Sequence, residues 1–76
     1  MTRTDRTIDL SGLTCPMPLL RTKAALAQME SGQVLNVIGT DPGSPRELKN
    51  FARQSGHIII DLIETDNRYH CLIRKG

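Results

Sequence analysis

Thr14-Cys15-Pro16-Met17-Pro18 sets a cysteine and two prolines where an apolar run begins. Pro16 fixes its own φ near the helical value and lacks an amide proton. Both traits suit the first helical position, and the proline ring pushes Cys15 into extended backbone. The stretch therefore predicts a helix with Cys15 as its N-cap, Pro16 first and Pro18 third, carried on by the apolar residues from Leu19 to Met29. A thiol there faces free backbone donors, Met17 N–H among them, and the positive end of the helix dipole. Its charged form is favoured, so the expected pKa lies below that of an ordinary thiol. Such a setting suits a nucleophile.

Outward from this point the chain divides into short elements. Residues 1–5 are polar and expected to fray. Residues 7–10 alternate as a strand, and Ser11-Gly12 turns the chain toward the cysteine. From Pro16 to about Glu30, Leu20, Ala24 and Ala27 are read as the inner stripe of the helix, flanked by Leu19 and Leu26, with Thr22 pointing elsewhere. Residues 33–38 are rich in β-branched and aliphatic side chains, so the strand–helix–strand unit implies a parallel crossover. Asp41-Pro42-Gly43-Ser44-Pro45 then opens a second helix, with Ser44 and Glu47 read as a capping box and Pro45 as the first helical residue. Leu48, Phe51, Ala52 and Ser55 would line its inner face, and Gly56 would end it. Residues 58–64 and 68–75, joined by Thr65-Asp66-Asn67, read as a hairpin.

The predicted order is β-α-β-α-β-β, an α/β (α+β) two-layer sandwich with a four-stranded mixed sheet. Two helices in so short a chain fit one face of the sheet and leave the other at least partly open. In the last strand, Tyr69, Cys71 and Ile73 would face the core and His70, Leu72 and Arg74 the open side. At 76 residues there is material for one core, hence a single domain over 1–76.

Composition narrows the function. Tyr69 and Phe51 are the only aromatic residues, which leaves no row of rings for stacking bases and argues against direct nucleic-acid binding. A net charge of +2 favours acidic partner surfaces or RNA by steering without demanding either. No apolar run approaches the roughly 20 residues of a membrane span, and the first residues lack a signal-peptide core, so a cytoplasmic protein is expected. The two cysteines stand 56 positions apart, as neither a redox pair nor zinc ligands, and with two histidines no metal site is expected.

The combination of Leu10, Gly12-Leu13, Cys15-Pro16-Met17-Pro18, Lys23, Thr40-Asp41-Pro42-Gly43-Ser44, Phe51, Gly56-His57 and Ile73-Arg74-Lys75 resembles the TusA family of small sulfur-carrier proteins, which includes SirA, YeeD and YedF relatives. The likeness runs from about Ile8 to Gly76. It implies the same two-layer sandwich and a relay of sulfane sulfur as a persulfide on Cys15, with no separate cofactor. The implied partners are a donor, a cysteine desulfurase or rhodanese, and an acceptor protein, as in tRNA thiolation or related sulfur metabolism. Met17 stands where the member that feeds tRNA thiolation resembles Cys-Pro-Glu-Pro, with a glutamate at the middle position. A monomer is expected.

Each candidate has a plainer reading. Cys15 could be a small buried residue at a helix start, but burial would leave unused the site that two prolines define. With no second cysteine nearby to resolve a disulfide, a one-cysteine carrier fits better than a reductase built on a Cys15–Cys71 bond. Cys71 reads as structural. Asp41 and Ser44 read first as turn and cap chemistry, then as a partner or anion contact. Lys23 and Arg46 read as solvated cations or partner contacts, Arg46 within a basic face that includes Arg21, Lys49 and Arg53. From another class, the chain could be a non-catalytic regulatory or RNA- and protein-interaction module using that basic face and the open sheet.

Overall fold

The computed structural model describes residues 3–76. The elements follow the order β1 (Arg6–Leu10), α1 (Met17–Ala27), β2 (Val34–Gly39), α2 (Ser44–Ser55), β3 (Ile58–Glu64) and β4 (Tyr69–Arg74). The sheet order is β1-β2-β4-β3, with β1 and β2 parallel and the other two pairings antiparallel. The expected four-stranded mixed sheet and two helices are present, and the chain is an α+β sandwich. The expected frayed segment, residues 1–5, lies partly outside the described residues. Of the remainder, Asp5 donates its N–H to the Val34 carbonyl at 2.9 Å, and its carboxylate accepts from Val34 N–H at 2.8 Å.

Alternation sorts the sheet into two faces. Leu10, Leu35, Val37, Tyr69, Cys71 and Ile73 are buried together beneath Ala25, Leu26 and Leu48 of the helices. On the opposite face Asp9, Ile38, His70 and Ile63 form one row across the four strands, and Thr7, Asn36, Leu72 and Asp61 the next. All eight are exposed or half-buried, so that face is open, as the pattern of the last strand predicts. An irregularity between Ile59 and Asp61 adds one residue to β3. It lets Ile59 and Leu62, three positions apart, both pack on the core.

The first helix corrects the sequence reading. Its buried residues are Pro18, Thr22, Ala25 and Leu26, whereas Leu20 is 50% exposed. The inner stripe therefore lies two positions before the one expected. Thr22 is fully buried because its hydroxyl donates to the Pro18 carbonyl at 2.8 Å, which satisfies the polar atom within its own helix. The helix also ends at Ala27, earlier than expected, before the turn at Gly32, where φ is +90°. In α2, Leu48 and Ala52 are buried as expected and Phe51 is half-buried, but Ser55 is exposed and Ser44 and Pro45 are buried instead. Gly56, with φ at +78°, ends α2 in the left-handed conformation that glycine adopts without strain.

Candidate functional site at the start of the first helix

Because β1 and β2 are parallel neighbours, with Leu10 opposite Gly39, the two loops that leave them emerge side by side. Gly12 N–H donates to Thr40 Oγ1 at 2.9 Å and ties those loops together. Each loop then closes a β-turn whose last residue is the first residue of a helix. In the first, Met17 N–H donates to the Thr14 carbonyl at 2.9 Å, with Cys15 and Pro16 at the central positions and a cis Cys15–Pro16 peptide. In the second, Ser44 N–H donates to the Asp41 carbonyl at 3.2 Å across Pro42 and Gly43.

These turns shift both helix starts by one residue from the sequence reading. Pro16 is the N-cap of α1, not its first residue, and Pro18 is second rather than third. Cys15 is not a cap: it stands one residue outside the helix at the exposed corner of the turn. Met17 N–H does not face the sulfur, since the Thr14 carbonyl takes it. In α2 the N-cap is Gly43, and the capping box is absent. Ser44, buried, turns its hydroxyl back to Asp41 Oδ2 at 3.0 Å, and Glu47 is left free of the cap.

Glu47 goes to the cysteine. The Cys15 thiol donates to Glu47 Oε1 at 2.9 Å, joining the two helix starts across 32 positions of sequence. The thiol is held above its ordinary range, first by that hydrogen bond, then by partial desolvation, then by the charges of Glu47 and Asp41. This reverses the expected direction, because a full carboxylate charge in contact outweighs the end of a helix dipole. Sequence reasoning missed Glu47, whose spacing from Ser44 points to a cap and whose spacing from Cys15 points to nothing.

The other singled-out residues are distributed around this pair. Met17 is half-buried, Pro18 buried, and Asp41 half-buried beside Ser44. Lys23 Nζ sits 5.5 Å from the centre of the Phe51 ring, within cation–π range, and lines with Glu47, Leu19 and Phe51 a groove of about 240 Å³ between the helices. Arg46 is exposed on α2. His57 lies between α2 and β3, its ring packed on Phe51 at 5.3 Å and its Nδ1 accepting the Gly76 N–H at 3.1 Å. Cys71 is free, fully buried in the core, and not bonded to Cys15. Among the described residues, no three histidine, cysteine, aspartate or glutamate side chains converge to hold a metal, and no helix is long and apolar enough to cross a membrane.

Fold and site together define a class: a small two-layer α+β protein that presents one exposed thiol in a Cys-Pro-x-Pro turn. Comparison with known proteins places it further. The family profile described as "Sulfurtransferase TusA" matches residues 6–75. The chain is 47% identical over 72 residues to the sulfur carrier protein TusA of Allochromatium vinosum, covering 95% of both chains. It is 46% identical to a putative sulfur carrier protein of Neisseria meningitidis serogroup A, over 90% of this chain and 92% of that one. In structure it is similar to a SirA-like protein from Desulfitobacterium hafniense, with a TM-score of 0.82 and 33% identity over 93% of this chain and 97% of that one. The chain belongs to the TusA family, as the resemblance implied.

Proposed function

We propose that the protein is a sulfur carrier that holds sulfane sulfur as a persulfide on Cys15 and passes it from a donor protein to an acceptor protein. The observation that carries this reading is the contrast between two free thiols, Cys15 exposed at the mouth of α1 and Cys71 buried in the core. Exchange of this kind needs a thiol that another protein's sulfur can reach in line, and a turn corner supplies that approach. The Cys15 thiolate attacks the outer sulfur of the donor persulfide. One S–S bond forms on Cys15 and another breaks, the donor leaves as a thiolate that takes up a proton, and no net oxidation occurs. Unloading is the same step with an acceptor thiolate attacking.

The donors that fit are a cysteine desulfurase or a rhodanese, and the acceptors are thiol proteins of tRNA thiolation or related sulfur metabolism. A cytoplasmic location goes with the reading, since a reducing compartment keeps both thiols free between cycles. The family match and the names of the relatives support it. Incubation with a persulfide donor followed by intact-mass measurement tests it. Wild type is expected to gain about 32 Da, one sulfur atom, and Cys15→Ser to gain nothing. Equal loading of the two chains would overturn the assignment.

A further inference from the structure

Glu47 is the feature at this site that the carrier reading does not by itself explain. A carboxylate next to a nucleophilic sulfur works against the anion that must form there. Its position is nevertheless well defined. It lies in the first turn of α2, takes no part in capping that helix, and accepts the Cys15 thiol hydrogen bond at 2.9 Å. Among the described residues no cation forms an ion pair with it. Asp41, in the loop before α2, adds a second negative charge toward the same sulfur. On the other side, residues 11–20 carry no charge, so nothing in the turn or the first part of α1 offsets the two acids. The nearest basic residue of α1 in the groove, Lys23, has its ammonium over the Phe51 ring.

We infer that Glu47 is a clamp on Cys15: its carboxylate retains the thiol proton and keeps the unloaded carrier in its unreactive form until that carboxylate is neutralised. The inference rests on the sulfur-carrier reading and concerns the same sulfur. A carboxylate accepts only, so it bonds the thiol and repels the thiolate. A cationic side chain placed against it offsets the charge and occupies its oxygens, which weakens both effects together. Cys15 then releases its proton to solvent, its thiolate attacks the outer sulfur of the donor persulfide, and the departing donor thiolate takes a proton up, so the exchange balances. Without that release the free carrier resists oxidants and electrophiles that attack exposed thiolates.

Alkylation of the intact folded chain tests the clamp. Wild type, Glu47→Gln and Glu47→Asp are treated with iodoacetamide across about pH 6 to 11, and the rate at Cys15 is read by peptide mass spectrometry. Glu47→Gln is expected to move the titration midpoint of Cys15 to lower pH. At neutral pH its rate should rise about threefold for each tenfold gain in thiolate, because a more acidic thiol is also a weaker nucleophile. Glu47→Asp, which keeps the charge but shortens the reach, should fall between the two. Superposable profiles for all three chains would overturn the clamp. Where circular dichroism shows that glutamine disturbs the fold, Glu47→Asp decides alone, a lowered midpoint supporting the clamp and an unchanged one refuting it. Alkylation involves no sulfur transfer, so the two readings fail separately. If Cys15 takes up no sulfur, the carrier reading falls; if it loads while the profiles superpose, only the clamp falls.

Discussion

Replacing Cys71 with alanine should change the stability of the protein in a way that depends on pH, with a sign that reverses. Cys71 sits in the middle of β4 between Val37 of β2 and Leu62 of β3 and has no exposed surface. Burial, the largest influence, pushes its thiol from 9.0 up to about 12, with Lys49 opposing and Asp61 adding to the rise. The folded chain thus keeps this proton at pH values where the unfolded chain has lost it. The stability tied to that proton is fully present below about pH 9 and is withdrawn as pH climbs toward 12. At about 1.36 kcal/mol per pH unit, the whole interval corresponds to about 4 kcal/mol, a large share of the roughly 5–15 kcal/mol by which small domains are stable. Urea unfolding of wild type and Cys71→Ala at steps from about pH 7 to 11 reads it out. Near neutrality the alanine variant should be less stable by about 1 kcal/mol, for the lost sulfur packing. Above about pH 9 the wild-type curve should fall faster and cross it before about pH 11. Parallel curves over that range would refute the reasoning, since they would mean that the thiol titrates alike in both states.

Two further substitutions probe the frame that holds the site. A Cβ added at Gly39 would lie 2.7 Å from Cε2 of Tyr69, the residue paired with it on β4, so the ring or the strand must move. Gly39→Ala is expected to cost about 1–3 kcal/mol in urea, and an unchanged midpoint would show that the ring yields freely. Thr22→Val keeps the buried volume but removes the hydroxyl bond to the Pro18 carbonyl. A loss of about 0.5–1.5 kcal/mol is expected, and a variant as stable as wild type would show that this bond contributes nothing net.

Tyr69, Cys71 and Ile73 declare their common face in the sequence because a strand has a period of two and the fold leaves one side of the sheet open. The hairpin and the glycine after α2 are legible for similarly local reasons: a turn sequence between two strands, and a residue free to take positive φ. The stripe of α1 is not, because Thr22 looks polar until its hydroxyl is paired with Pro18 four residues earlier, and Leu20 looks apolar although it faces water. Both helix starts were displaced for one shared reason. A β-turn before each helix takes an N–H that the cap reading assigns elsewhere, to the sulfur at Met17 and to the Glu47 side chain at Ser44. The Cys15–Glu47 contact lies beyond any local reading. It exists because two parallel strands deliver their loops to one end of the sheet, and that pairing is set by core packing between segments far apart in the chain.

The two prolines that make the start of α1 recognisable also explain why the sulfur is governed from the other helix. A helix N-terminus stabilises an anion through its free amide protons and the partial charge they carry. Here the N-cap is Pro16 and the second helical residue is Pro18, neither of which has an amide proton, and Met17 has given its own to Thr14. That leaves Leu19 as the first helical residue whose N–H is uncommitted, and the dipole acts only weakly on an exposed site. Against so bare an end, a carboxylate in hydrogen-bond contact outweighs the helix and favours the protonated thiol, and Asp41 acts in the same direction. The turn therefore supplies exposure and approach, while reactivity is set by Glu47. A sulfur site arranged this way can be made more or less reactive by whatever meets the α2 carboxylate, without any change in the turn that presents the sulfur.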